Sequence, residues 1–153
     1  MADNRTRNAR LLKLVALLRA NARRKTGIKF DYGSWGTIAD KENPVSCGTT
    51  ACAFGLAAVS GEFKRLGLGY KLRGSTEFGP VRFEFLLNGK AIQALNAAQK
   101  VFKLSSAEAK YLFVPEVRAL TYENWEGAKA ELAVARKIQK FVKTGKMDAE
   151  PEI

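Results

Sequence analysis

The chain of 153 residues contains no histidine, and this absence removes whole classes of chemistry. Mechanisms that need an imidazole are excluded, among them Ser-His-Asp and Cys-His catalysis, His-based zinc hydrolysis and His-containing zinc fingers. Cysteine is scarce, with 2 residues, which excludes a disulfide framework and favours reduced thiols. No apolar run approaches the roughly 18 residues of a membrane span, so no spanning segment is predicted. A membrane-surface helix is an alternative for the first helix, but its apolar stripe lacks aromatic residues, and no membrane partner is expected.

The remaining composition is that of an ordinary globular protein. Hydrophobic residues make up 46% of the chain and charged residues 27%, which argues against wholesale disorder. The length is sufficient for one domain with its own core. We therefore expect a single cytoplasmic domain that needs neither a cofactor nor a metal ion.

Positive charge is concentrated near the amino end. Basic side chains outnumber acidic ones by 26 to 15, and nine of them lie within residues 1–29, where Asp3 is the only acid. The net charge is therefore +8 in this segment and +3 in the rest of the chain. This bias favours a polyanionic partner, and a solvated helix face is the alternative. The residues expected to attract the partner are Arg19, Arg23, Arg24 and Lys25.

Hydrophobic periodicity predicts an α+β fold, a mainly helical single domain with a small β-hairpin. Residues 1–27 are expected to form a basic amphipathic helix that is part of the domain. Residues 28–144 are expected to form the core domain, and residues 145–153 a disordered acidic tail. The predicted buried face of the first helix consists of Leu11, Leu14, Val15, Leu18 and Ala22.

Further elements follow from local signals. A buried second helix is predicted from about Thr49 to Ser60, and a hairpin from alternating apolar residues over 70–72 and 81–87. A third helix is expected to start at Asn88-Gly89, and a short fourth one follows the capping-box pattern Ser105 to Glu108. A long last helix is predicted from Thr121 to about Val142, with a packing stripe of Trp125, Ala128, Leu132, Ala135, Ile138 and Val142.

The stretch that opens the second helix has the composition of an anion site. Unpaired amides at a helix start, a glycine that admits a ligand and nearby hydroxyl groups can together bind phosphate. No Gly-Lys-Ser/Thr ending is present, so nucleotide hydrolysis is not implied, and ordinary N-capping is the alternative. The predicted anion-binding residues are Ser46, Gly48, Thr49, Thr50, Lys64 and Arg65.

The two cysteines lie in the same stretch. If the protein is an enzyme, Cys47 is the candidate nucleophile, because a helix start favours the thiolate. A zinc site would lack ligands, since Cys47 and Cys52 have no histidine to complement them. The favoured interpretation is that both are small apolar fillers of a packed helix.

An aromatic group precedes this stretch. Phe30, Tyr32 and Trp35 are candidates for a platform on which nucleic-acid bases stack. The same side chains are equally suited to close one end of the hydrophobic core, and aromatic residues do so more often.

The run Cys47-Gly48-Thr49-x-Ala51-Cys52-x-x-Gly55 resembles a motif of small, uncharacterised bacterial and phage proteins. Those proteins resemble this chain also in a Phe-Asp-x-x-x-Trp stretch, compared with Phe30 to Trp35, and in a Leu-Ser-x-x-Glu-Ala-x-x-Leu-Phe run, compared with Leu104 to Phe113. The resemblance covers about residues 28–142. It implies a shared fold and a bacterial or phage setting, with the host cytoplasm as the location of a phage-encoded chain, and it implies no activity.

The sequence thus favours non-enzymatic binding of a phosphate-bearing partner, either nucleic acid or a nucleotide. Two other functions stay open. One is a protein–protein antagonist or adaptor with an acidic partner, such as a phage inhibitor of a host enzyme. The other is a cysteine-dependent enzyme.

Overall fold

Helix α1 (Asn4–Arg23) lays its apolar stripe on the core of the protein. The computed structural model describes residues 4–23, 29–30, 37–38, 50–73, 81–114 and 127–147. The predicted first helix is confirmed over Asn4–Arg23, and positions 1–3 and 24–27 of the prediction lie outside the described residues. Of its predicted face, Leu11, Leu14, Val15 and Leu18 are buried and Ala22 is half-buried.

The remaining described elements are short helices around a small sheet. The helices are α2 (Ala53–Ser60), a 3-10 turn (Lys64–Leu66), α3 (Ala94–Phe102), α4 (Ser106–Phe113) and α5 (Gly127–Thr144). The strands are β1 (Lys29–Phe30), β2 (Thr37–Ile38), β3 (Thr50–Ala51), β4 (Leu68–Arg73), β5 (Val81–Leu87) and β6 (Lys90–Ala91). Among the described helices, none has the length and apolar character needed to cross a membrane.

The strands form one sheet in the order β1-β3-β2-β5-β4, with β6 also paired to β5. Its main part is the antiparallel pair β4–β5, in which Tyr70 lies opposite Phe85 and Leu72 opposite Phe83. This pair is the predicted hairpin. The prediction of a mainly helical α+β domain is confirmed, whereas the two-residue strands β1, β2, β3 and β6 were not predicted.

Helix α2 lies at the centre of the core, as its small residues predicted. Every residue from Ala53 to Val59 is buried. The Phe54 ring has its centroid 5.0 Å from that of Phe85, 5.7 Å from that of Phe113 and 6.3 Å from that of Phe102. One side chain of α2 therefore contacts β5, α3 and α4.

The prediction that the third helix starts at Asn88-Gly89 is wrong. These two residues form the turn between β5 and β6, and α3 begins at Ala94. Both have positive φ angles, 52° for Asn88 and 81° for Gly89. This is the backbone of a two-residue hairpin turn with Asn-Gly at its centre, a stronger signal than the apolar residues that follow it.

Helix α4 confirms the predicted capping box. The Glu108 N–H donates to Ser105 Oγ at 3.1 Å, and the Ser105 N–H donates to Glu108 Oε1 at 2.8 Å. Two amide donors that the helix itself leaves unpaired are satisfied in this way.

The predicted packing stripe of α5 is partly wrong. Ala135 and Ile138 are buried as expected, but Ala128 is exposed and Leu132 and Val142 are half-buried. The buried face instead includes Val134 and Phe141, and the Phe141 ring lies beneath the Arg7 guanidinium of α1. Residues 121–126, with Trp125, and 148–153 of the predicted tail lie outside the described residues.

Helices α1 and α5 run antiparallel and are joined by polar contacts at both ends. Near the start of α1, the Arg7 guanidinium lies 4.8 Å from the Phe141 ring centroid and pairs with Glu108 at 3.5 Å. Near its end, Asn21 Nδ2 donates to Glu131 Oε2 at 2.8 Å. Glu131 is only 2% exposed, and this burial raises its pKa from 4.5 to about 7, although the Asn21 bond acts in the opposite direction.

Replacing Leu14 with alanine tests whether α1 belongs to the core. Leu14 is fully buried, so we expect Leu14→Ala to lower the free energy of unfolding by about 2–5 kcal/mol in urea denaturation. Leu12→Ala is the matched control on the same helix, because Leu12 is 43% exposed. Equal effects of the two substitutions would show that α1 is not packed as described.

Replacing Glu131 with glutamine tests the buried carboxyl group. The pKa of Glu131 is about 7 in the folded protein and 4.5 in the unfolded chain. Between these two pH values the folded protein holds an extra proton, so its stability falls as the pH rises through this window. We expect Glu131→Gln to stabilise the protein by up to about 3 kcal/mol above neutral pH and by little at pH ~4.5. Urea denaturation at both pH values measures this, with Glu62→Gln at an exposed site as the control. The same gain at both pH values would contradict the assignment.

Candidate functional site

The structure moves the start of the second helix away from the predicted anion site. Thr50 lies in β3, paired in parallel with β1 and antiparallel with β2, and α2 begins four residues later than expected, at Ala53. The prediction is wrong because the backbone at Thr50 takes part in a sheet, where β-branched residues are favoured. The first turn of α2 is buried, with Ala53 1% and Phe54 0% exposed, so it offers no open amide donors.

Several predicted site residues fall outside the part of the chain that the structure describes. They are Arg24, Lys25, Tyr32, Trp35, Ser46, Cys47, Gly48 and Thr49. Cys52 is described, and it is a buried residue that precedes α2 as its N-cap. This position agrees with its interpretation as a small apolar filler.

Phe30 is not a stacking surface. It lies in β1 and is 2% exposed, so its ring has no face open to a nucleic-acid base. The prediction of a stacking role is wrong for this residue, and the alternative that it closes the core is confirmed. Phe30 lies in a short strand that pairs with β3, and the elements around this strand cover its ring.

The cations of α1 are engaged on different flanks of the helix rather than forming one face. Arg19 donates to Gln139 of α5, whereas Lys13 donates to the Glu62 carbonyl oxygen at 2.7 Å on the opposite flank. Arg23 is exposed at the end of the helix. Helix α1 is therefore packed on the core and is not a free basic arm. Its cations are spread over different sides of the helix.

One of these cations lines a cleft that sequence reasoning did not predict. We call it the cationic cleft; its volume is about 280 Å³ and its lining residues are Arg10, Leu66, Leu87, Asn88, Lys100 and Val101. They come from α1, the 3-10 turn, the end of β5 with its turn, and α3. Among the residues that the structure describes, the lining contains two cations and no carboxylate.

Arg10 is held in place by the end of α3. Its Nη1 donates to the Val101 carbonyl oxygen at 2.8 Å, which is one of the last carbonyls of that helix. A cation is favoured there because the carbonyl end of a helix carries partial negative charge. The bond uses one of the five guanidinium donors, so the half-buried side chain retains others for a ligand.

The backbone of Asn88 is hydrogen-bonded to Gly67, the residue that directly precedes β4. Its N–H donates to the Gly67 carbonyl oxygen at 2.9 Å. A methyl group at Gly67 would lie 2.1 Å from Asn88 Oδ1 and 3.2 Å from the Asn88 backbone nitrogen, so the exposed Asn88 side chain would have to rotate away. Gly67 also has a φ of 89°, which a side chain disfavours.

Four exposed cations flank the cleft along the chain, and we call them the basic rim: Lys64, Arg65, Lys90 and Lys103. Lys64 and Arg65 immediately precede the lining residue Leu66, and both were predicted to bind an anion. Within the described ranges, none of the rim cations is paired with a carboxylate. Lys64 and Arg65 thus lie next in sequence to a residue of the cleft lining, although neither of them is part of that lining.

Sequence reasoning missed Arg10, Asn88 and Lys100 as a group. Arg10 and Lys100 are 90 positions apart, and only the packing of α1 on α3 brings them to one cleft. The Asn88-Gly89 pair is a local signal that could have been found, since it marks a hairpin turn. This signal would have located the turn in the sequence, but it would not have shown that Arg10 and Lys100 lie beside it.

Replacing Gly67 with alanine tests the contact that shapes the cleft. Both Gly67 and Gly61 have left-handed backbones, but a Cβ at Gly61 would meet nothing within 4 Å. We expect Gly67→Ala to lower the free energy of unfolding by about 1 kcal/mol more than Gly61→Ala, because it must also displace Asn88. Urea denaturation measures both variants, and equal losses would show that Asn88 is not fixed by Gly67.

The geometry of the cationic cleft is thus the basis for assigning a function. No family model, curated protein or solved structure matches this chain.

Proposed function

We propose that the protein binds a phosphate-bearing partner, a nucleotide or a nucleic acid, without catalysis and in a bacterial or phage setting. The observation that carries this proposal is the cationic cleft, in which Arg10 and Lys100 lie together with no carboxylate in the described lining. Two like charges at one small site repel each other, and an anion relieves that repulsion.

The side chains in the cleft suit phosphate. A guanidinium group offers paired donors that match two oxygens of a phosphate, and an ammonium group adds a compact charge. Because Arg10 is half-buried, its interaction with an anion is screened less by water than that of a fully exposed cation. Asn88 adds an amide group that can donate or accept a hydrogen bond.

Charge beyond the cleft supports a large anionic partner. The net charge of the chain is +11, and the basic rim adds four exposed cations next to the lining residues. Such a distribution attracts a polyanion over a range of about 10 Å at moderate salt. The rim contacts are those expected to depend most strongly on salt.

Cysteine-based catalysis gains no support from the described residues. Cys52 is buried in the core, and Cys47 lies outside the described part of the chain. Among the residues that the structure describes, the cleft lining contains no thiol, hydroxyl or carboxylate group. This chemistry supports binding rather than nucleophilic attack or general acid–base catalysis.

The test is a fluorescence titration with a 5′-phosphorylated single-stranded oligonucleotide of about ten nucleotides, labelled at its 3′ end. We expect Lys100→Gln to weaken binding by about 5–10-fold at low salt and to reduce the slope of log affinity against log salt by about one. Within the described part of the chain the exposed Lys100 side chain makes no hydrogen bond or ion pair, so the unfolding midpoint should stay unchanged.

Lys129→Gln is the matched control, since it removes the same charge from an exposed site on α5 that is not part of the cleft or its rim. It should retain wild-type affinity. Failure of the wild-type protein to bind the oligonucleotide, or equal weakening by both substitutions, would contradict the proposed function.

A further inference from the structure

The dimensions of the cationic cleft restrict what it can hold. Its volume of about 280 Å³ lies just below the range of about 300–1,000 Å³ typical of small-molecule pockets. This is room for one phosphate group and the group bonded to it, not for a length of nucleic-acid backbone. The ligand that enters the cleft is therefore a single phosphorylated unit.

The charge of the cleft distinguishes between two kinds of phosphate. A phosphodiester within a strand carries one negative charge, whereas a terminal monoester carries about −1.5 to −2 at neutral pH. Arg10 and Lys100 supply two positive charges, and the described lining has no carboxylate to offset them. The monoester matches this charge, and the diester leaves about half of it unbalanced.

Three of the six lining residues are aliphatic, and a phosphate group alone makes no favourable contact with aliphatic side chains. Leu66 and Leu87, both half-buried, contribute the accessible apolar part of the cleft, next to the two cations, whereas the Val101 side chain is buried. Apolar surface of this kind favours a sugar or a planar base attached to the phosphate. The Asn88 amide lies at the same cleft and can bond an uncharged polar group of that unit.

We propose that the cationic cleft binds a terminal phosphate monoester of a nucleotide unit, with the phosphate at Arg10 and Lys100 and the sugar or base against Leu66 and Leu87. This inference rests on the proposed function and narrows it. Free mononucleotides and the phosphorylated end of a nucleic-acid strand share this chemistry. In the second case, the basic rim contacts the diesters that follow the terminal unit.

The test compares two oligonucleotides of identical sequence, one with a 5′-phosphate and one with a 5′-hydroxyl group. For the wild-type protein, we expect removal of the terminal phosphate to weaken binding by about tenfold, as expected for the loss of a charge-assisted contact. In Lys100→Gln, the difference between the two oligonucleotides should fall to about twofold or less. This cycle assigns the lost affinity to the pair formed by the phosphate and Lys100.

A rim variant separates the cleft from its surroundings. Lys64→Gln removes an exposed rim charge of the same type. It should weaken both oligonucleotides alike and keep the tenfold difference between them. A loss of the difference in Lys64→Gln would overturn the assignment of the phosphate to the cleft.

Nucleoside 5′-monophosphates and their parent nucleosides distinguish the two sources of the monoester. Competition by the monophosphate, but not by the nucleoside, would support a free nucleotide as ligand. Competition by neither, with the 5′-phosphate still required on the oligonucleotide, would support a strand end.

The failure of this inference differs from that of the proposed function. If both oligonucleotides bind equally and Lys100→Gln weakens both, the protein binds phosphate but the terminal monoester is overturned. If neither oligonucleotide binds the wild-type protein, both proposals fail together.

Discussion

Packing of the Phe54 ring against three other rings is the interaction on which the rest of the described structure depends. Helix α2 has buried side chains on all its sides, so it must be surrounded by other elements. Phe54 contacts Phe85 of β5, Phe102 of α3 and Phe113 of α4. Aromatic rings in tilted and edge-on contact bring large buried areas and a preferred geometry, so these elements are fixed relative to one another.

The same aromatic packing sets the position of the cationic cleft. Phe102 also contacts Phe63, with ring centroids 5.2 Å apart. Phe63 precedes the 3-10 turn that carries Lys64 and Leu66, and Phe102 follows Lys100 and Val101 on α3. The backbone segments that carry the lining residues Leu66, Lys100 and Val101 are therefore attached to the core by neighbouring rings.

Local signals in the sequence were sufficient for much of the fold. The stripe of α1, the alternation in β4 and β5 and the capping box at Ser105 each lie within a few residues, and the structure confirms all three. The start of α2 was misplaced because Thr50 pairs with strands far away in the chain, which local pattern does not show. The proposed cationic cleft was not predicted for the same reason, since Arg10 and Lys100 meet only through tertiary packing.

The bond from Arg10 to the Val101 carbonyl oxygen has an evolutionary consequence. Arg10 serves two purposes at once, joining α1 to the last turn of α3 and presenting charge to the cleft. A substitution there is expected to change the integrity of the fold along with the proposed recognition, so drift at this position is constrained twice. Lys100 has no such second duty among the described contacts, so substitutions there are expected to alter the proposed recognition while the scaffold stays intact.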